Sequence, residues 1–168
     1  MKKSPLVAPV VKWAGGKRQL LDELCPLLPK RISSYCEPFV GGGAMLFRLQ
    51  PAAARVNDIN EELIRLYEVI CDDVEGLIAA LSVHKNEEAY YYAVRDWDRD
   101  PARYAALPAV EKAARLLYLN KTCYNGLFRV NSAGAFNTPF GRYKNPTIVN
   151  ADTLRAVSRY FNAARILF

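Results

Sequence analysis

The sequence is poor in the residues that bind metals or staple small domains. It has one histidine, His84, and four cysteines, Cys25, Cys36, Cys71 and Cys123, with no CxxC pair among them. That scatter excludes a zinc knuckle and a disulfide framework, and implies reduced thiols packed in a core. No run approaches the ~18 apolar residues of a membrane span. Met1-Lys2-Lys3 leads into "SPLVAPVVKW", whose prolines and early lysine make a poor secretory signal. The expectation is a cytoplasmic protein with no membrane and no metal. Pro-Pro is missing altogether. Most telling is the absence of acids from two tracts. Met1 to Leu21 carries five cations and Lys112 to Ala151 carries six, with no carboxylate in either, whereas Asp58 to Asp100 holds twelve of the seventeen acids against four cations. If the two acid-free tracts share a face, that face suits a polyanion, although uneven charge on solvated helices would read the same way.

With 168 residues, 51% of them hydrophobic, the chain can bury one sizeable core. "KRQLLDELCPLL" has helical spacing, "SYCEPFV" reads as a strand ending at a glycine cluster, and "AMLFRLQ" restarts a helix that Pro51 closes. "ARVNDI" is a second strand, after which Asn60 caps a helix carrying Leu63, Ile64, Tyr67 and Ile70. This β-α-β order predicts an α/β fold with a parallel sheet. Val74 to Lys121 is helical in period and interrupts the sheet. "YNGLFRVNSAGAFNTPFGRYKNP" then reads as a β-hairpin turning at "SAG", with an irregular return arm. "NADTLRAVSRYFNAA" is a further helix, and "RILF" begins a third strand. We divide the chain into 1–73 and 151–168, parts of one α/β domain, and 74–150, a helical and hairpin insert.

Gly41 and Gly43 stand where a strand turns into a helix, so a ligand can approach the backbone. A dinucleotide fingerprint would need a small residue in place of Leu46, and a phosphate-binding P-loop would need others in place of Val11 and Arg18, so both fail. Phe39, Gly41 and Gly43 remain, followed by Asp58, which can accept from both ribose hydroxyls. Upstream, Trp13 in "KWAGGK" offers an apolar wall, and Lys17 can meet a carboxylate. A nucleoside with a carboxylate at its far end fits S-adenosylmethionine. Taken singly, each feature also suits ordinary packing: a glycine turn with a capping acid, a buried tryptophan, a proline-rich surface loop.

"KWAGGK", "EPFVGGGA", "VNDIN", "LYLNKTCYNGLFRVN" and "FNTPFGRYKNP", in that order and through nearly the whole chain, resemble the motifs of the Dam-type adenine-specific DNA methyltransferases of bacteria and phages. The resemblance implies a Rossmann-like methyltransferase fold and S-adenosylmethionine contacts from Trp13, Lys17, Phe39, Gly41, Gly43 and Asp58. It also implies a target-recognition hairpin that reads double-stranded DNA, with a GATC-like site suggested by "YNGLFR". On that hairpin Tyr124 and Asn125 can wedge into the base stack, and Arg129 can bond a guanine edge. Arg142 and Lys144 neutralise phosphates, Leu127, Pro139 and Tyr143 complete the surface, and Lys12 reaches a base or phosphate.

One part of the family pattern is missing. Its catalytic Asp-Pro-Pro-Tyr, which holds the target amine and stacks on the flipped base, has no counterpart here. Asn137 to Phe140, "NTPF", is the nearest imitation and lies inside the hairpin. The family's tetrapeptide follows the strand after "RILF", so we expect an incomplete sheet and no catalytic residue among these 168. Two possibilities follow: a methyltransferase seen in its N-terminal part or completed by a C-terminal partner, and a non-catalytic DNA-binding remnant.

Overall fold

Three short strands lie side by side in parallel, in the order β1 (Tyr35–Glu37), β2 (Ala53–Val56), β3 (Arg165–Leu167). The structure, a computed structural model, describes residues 3–168, so Lys2 of the first acid-free tract lies outside it. Register pairs Tyr35 with Ala54, Glu37 with Val56 and Ala53 with Arg165. Pairing along β1 stops earlier than the apolar run suggests. Pro38 has no N–H to give, and the chain bends into the glycine turn, leaving Val40 to donate to the Asn57 carbonyl at 2.9 Å.

Eight α-helices surround this sheet among the described residues. The first, α1 (Leu21–Leu24), is a single turn between two 3₁₀ turns, so the continuous helix expected from "KRQLLDELCPLL" is broken. Pro26 withholds a helical N–H, and Leu20 and Leu27 are exposed, so no packed face compensates. The next helix, α2 (Ala44–Leu49), leaves the glycine turn and buries Leu46 and Phe47. Helix α3 (Glu61–Asp72) starts at Asn60, whose side chain accepts from Leu63 N–H, and buries Leu63, Leu66, Tyr67 and Ile70 on one stripe. Leu66 thus takes the fully buried place that Ile64 was expected to share.

The insert supplies α4 (Val74–Ser82), α5 (Glu88–Arg95), α6 (Pro101–Ala106) and α7 (Ala109–Thr122). Asp73 caps α4, Asp100 caps α6 with Pro101 behind it, and Asn150 caps α8 (Ala151–Ala163). One hydrophobic core joins sheet and insert: Val56, Leu63, Leu117, Tyr91 and Val157 belong to the same cluster. The Tyr67 ring, fully buried, meets Phe47, Phe161 and Phe168 with centroids 6.0–6.3 Å apart. No helix among the described residues is long and apolar enough to cross a membrane.

The cysteines correct one expectation. All four are free thiols, but only Cys123 is in the core, and Cys36 is exposed on the open face of β1. Strand alternation explains it, since Cys36 points opposite to buried Glu37.

Candidate functional site

The glycine turn is fixed from both sides. Gly41 and Gly43 have φ of 50° and 72°, in the left-handed region. A Cβ on Gly41 would stand 3.0 Å from Trp13 Cδ1, and one on Gly43 would stand 2.6 Å from Phe47 Cε2. Asp58, two residues beyond β2, accepts from Gly41 N–H at 2.9 Å through Oδ2 and from Asn60 N–H at 3.0 Å through Oδ1. Tyr67 Oη donates to the Gly41 carbonyl at 2.6 Å, and burial pushes the Tyr67 phenol well above its ordinary pKa.

Lys17 lies across the mouth of this turn. Its Nζ donates to Glu37 Oε1 and to the Phe39 carbonyl, each at 2.9 Å. Glu37 is buried and receives a further 2.6 Å bond from Tyr35 Oη. Burial first, and then Glu37, raise the Tyr35 pKa far above the phenolic range. Sequence reasoning missed Glu37; a carboxylate at the C-terminal end of the first strand, within reach of an upstream lysine, was the available signal.

Trp13, Gly15, Lys17, Phe39, Gly41 and Asp58 line one cleft of about 240 Å³. Five of the six expected cofactor residues therefore converge. Gly43 does not line the cleft; it stands behind the turn as the N-cap of α2. The donor set suits a nucleoside with a terminal carboxylate. Each Asp58 oxygen keeps a lone pair after its backbone bond, and the Lys17 ammonium keeps one of its three protons free. Gly41 leaves room only for hydrogen between backbone and Trp13. Among the described residues no group of three or more His, Cys, Asp or Glu is arranged to hold a metal ion.

The hairpin stands next to the cleft. Trp13 stacks on Phe128 with centroids 5.3 Å apart, and Phe128 meets Phe136 edge-on at 5.7 Å. Two isolated antiparallel bridges, Val130 with Phe136 and Cys123 with Phe140, close it. The turn is at Asn131 to Gly134 as expected, with Asn131 Oδ1 accepting from both Ala133 and Ala135 N–H at 3.0 Å. Tyr124 is 54% exposed at the base of the hairpin, where it leaves α7, and Asn125 beside it has φ of 54°. Arg129, Pro139, Arg142 and Lys144 are also exposed, and Leu127 lies at the edge of exposure. Arg129 Nε donates to Asn137 Oδ1 at 2.9 Å, Arg142 is 3.4 Å from Glu88, and Tyr143 Oη accepts from Asn125 N–H at 3.1 Å. Lys12 Nζ lies 5.7 Å from the Tyr143 ring centre.

Asn120, on α7, was not foreseen. Its Oδ1 accepts from Lys12 N–H at 2.9 Å, and its Nδ2 donates to the Lys12 and Gly126 carbonyls at 2.8 and 2.9 Å. One buried amide thus ties "KWAGGK" to the base of the hairpin. Asn137 to Phe140 is committed to structure: Thr138 is buried and donates to the Leu127 carbonyl, while the Thr138 and Pro139 carbonyls accept from Tyr91 Oη and Tyr124 N–H.

The acid-free tracts do meet. Lys3, Arg18, Arg48 and Lys121 line a second and larger groove, of about 750 Å³, with no acid in its walls. Lys3 and Arg18 come from the first tract and Lys121 from the second. Burial, with Lys12 nearby, lowers the Lys121 pKa.

Comparison with known proteins follows the same lines. The family model described as D12 class N6 adenine-specific DNA methyltransferase matches residues 13–168. Type II methyltransferase M1.LlaDCHI of Lactococcus lactis subsp. cremoris is 46% identical over 156 residues, 92% of this chain and 55% of that protein. Type II methyltransferase M.MjaIII of Methanocaldococcus jannaschii is 42% identical over 96% of this chain and 61% of its own length. The DNA adenine methylase of Escherichia coli K12 is 37% identical over 91% of this chain and 54% of its own. The chain spans a little over half the length of these curated relatives.

Proposed function

Because this chain belongs to the D12 class N6 adenine-specific DNA methyltransferases, we propose that it is the cofactor-binding and DNA-reading part of an enzyme that methylates the exocyclic amine of adenine in duplex DNA. The observation that carries this is the adjacency of the Trp13–Asp58 cleft to the Arg129 hairpin through the Trp13–Phe128 stack. Residues 1–73 and 151–168 serve as the cofactor part, with the later strands of a Rossmann-like sheet supplied elsewhere, and 74–150 as the recognition part. A cytoplasmic setting is part of the same proposal, and the type II names of two relatives suit a restriction–modification role.

In this reading Asp58 accepts from the ribose hydroxyls, the free Lys17 proton meets the methionine carboxylate, and Phe39 to Gly43 wrap that end of the molecule. When bound, S-adenosylmethionine supplies an electrophilic methyl group on a sulfonium. Tyr124 and Asn125 wedge the stack so that the target adenine can leave the duplex. Arg129 reads a guanine edge within a GATC-like site, with Leu127, Pro139 and Tyr143 around it. Arg142, Lys144 and Lys12 hold phosphates or a base edge. The acid-free groove supports an anionic partner in general.

No residue in this chain takes the Asp-Pro-Pro-Tyr role, so residues 1–168 alone transfer no methyl group. The second reading is a DNA-binding remnant or a fragment needing a C-terminal partner. Tritium transfer from labelled S-adenosylmethionine to a GATC duplex tests both. Incorporation into adenine by the native-length protein, lost in Asp58→Ala, supports the enzyme. DNA binding without any incorporation supports the remnant, and incorporation by residues 1–168 alone would overturn the proposed division of labour.

A further inference from the structure

The hairpin is held by more than its own bridges. Asn131 N–H to the Ala135 carbonyl and Asn137 N–H to the Arg129 carbonyl, both 2.9 Å, flank the Val130–Phe136 pair. Val130 and Phe136 are therefore a non-hydrogen-bonded pair, and the N–H and C=O of Phe136 point away from the hairpin. Both are taken by two successive residues of the 3₁₀ turn Asp96–Arg99. Asp98 Oδ2 accepts from Phe136 N–H at 2.7 Å, and Arg99 Nη2 donates to the Phe136 carbonyl at 2.8 Å.

Asp98 is itself fixed by a buried cation. Arg115 of α7, 4% exposed, places Nη2 2.9 Å from Asp98 Oδ2. Its other donors reach the Val94 carbonyl at 3.0 Å, the Arg95 carbonyl at 2.5 Å and Tyr104 Oη at 3.5 Å, and Tyr104 Oη donates to Glu62 Oε2 at 2.6 Å. Asp98 Oδ1 is buried without a hydrogen-bond partner among the described residues.

We propose that Asp98, oriented by Arg115 and assisted by Arg99, is a positioning residue for base recognition: it fixes the return arm at Phe136 and thereby the guanidinium of Arg129. The link is one residue long. Phe136 precedes Asn137, whose Oδ1 holds Arg129 Nε at 2.9 Å. A bidentate guanidinium contact fails if the fork tilts, so a small displacement of Asn137 reaches the base edge. This rests on the proposed role of Arg129, and nothing in it alters the cofactor cleft.

The test compares binding of a GATC duplex with single-base-substituted duplexes by native-length wild type, Asp98→Ala, Arg99→Ala, Arg129→Ala and the double variants. Asp98→Ala and Arg99→Ala should each cut the ratio of target to substituted-duplex affinity, Asp98→Ala by about tenfold, within the range one bidentate base contact supplies. Affinity for unrelated DNA and for cofactor should stay the same. In the Arg129→Ala background neither substitution should lower the ratio further, a result that general loosening of the fold would not give. Asp98→Asn, which keeps an acceptor for Phe136 N–H, should recover part of the ratio. If Asp98→Ala does not fold, Arg99→Ala decides, because it removes one bond to Phe136 and leaves the buried pair intact. Full base preference in folded Asp98→Ala, or in Arg99→Ala if Asp98→Ala does not fold, overturns the proposal. Wild type without any base preference overturns the role of Arg129 and this inference with it.

Discussion

Replacing Asp58 by alanine perturbs two things at once, and the structure separates them. Among the described residues the carboxylate is the sole side-chain acceptor for Gly41 N–H at 2.9 Å and Asn60 N–H at 3.0 Å, so its loss unties the glycine turn from the start of α3. Hydrogen bonds to a charged group contribute about 1.5–3 kcal/mol each, but Asp58 is half-buried and water can replace it at both donors, so a stability loss of about 2 kcal/mol is expected. In the proposed cofactor site the ribose acceptor is lost as well, a further ~1.5–3 kcal/mol, which is roughly a 12- to 160-fold rise in Kd. Asp58→Asn keeps one acceptor oxygen and turns an amide NH2, a donor, toward the other N–H, so it should fall between the two. Calorimetric titration with S-adenosylhomocysteine, beside thermal melting of each variant, measures both effects. DNA affinity without cofactor should hardly change. Equal cofactor affinity in wild type and Asp58→Ala would remove Asp58 from the site, and equal melting would refute the tie to the glycine turn.

Arg129→Ala should relax discrimination at one guanine by about 1–3 kcal/mol, whereas Lys144→Ala should weaken all sequences alike and flatten the salt dependence; competition binding with substituted duplexes distinguishes them. Gly43→Ala should cost about 2–4 kcal/mol, left-handed strain plus a 2.6 Å clash with the buried Phe47 ring. Gly15→Ala, with φ of 70° and open space around it, should cost only about 1 kcal/mol, so equal melting shifts for the two would contradict the clash. Burial lowers the His84 pKa to about 4, with Tyr118 stacked on the ring and Tyr90 Oη 2.9 Å from Nδ1. The unfolded chain binds that proton from pH ~6.5 downward and the folded chain does not, so stability should fall as pH drops from about 6.5 to about 4. Full burial would make the loss about 3 kcal/mol, and partial solvent access reduces it to about 1. Melting of His84→Phe between pH 7.5 and 4.5 should lack that portion of the decline.

Features determined by near neighbours in the chain were legible in the sequence. The glycine turn, the Asn60 cap, the turn at Ser132 to Gly134 and the helical period of α7 each depend on residues within one or two turns. Asp58 was legible because strand order brings the end of β2 next to the end of β1. What escaped depends on contacts between distant residues. Asn120 holds Lys12 across more than a hundred residues, and Asp98 meets Arg115 and Phe136 only after the insert folds back. Neither pair has a spacing to detect. The first helix misled for the opposite reason, since its leucine period is real but none of its residues reaches full burial.

The proposed function puts the cofactor in the smaller cleft, between Trp13 and Asp58, although the groove lined by Lys3, Arg18, Arg48 and Lys121 is larger and more basic. Amide chemical-shift mapping of the protein titrated with S-adenosylhomocysteine tests it most directly. Saturable shifts are expected at Gly15, Gly16, Gly41, Gly42 and Asp58, moved to roughly 12- to 160-fold higher ligand concentration in Asp58→Ala. Shifts concentrated at Arg18, Arg48 and Lys121, with the glycine turn unmoved, would contradict it.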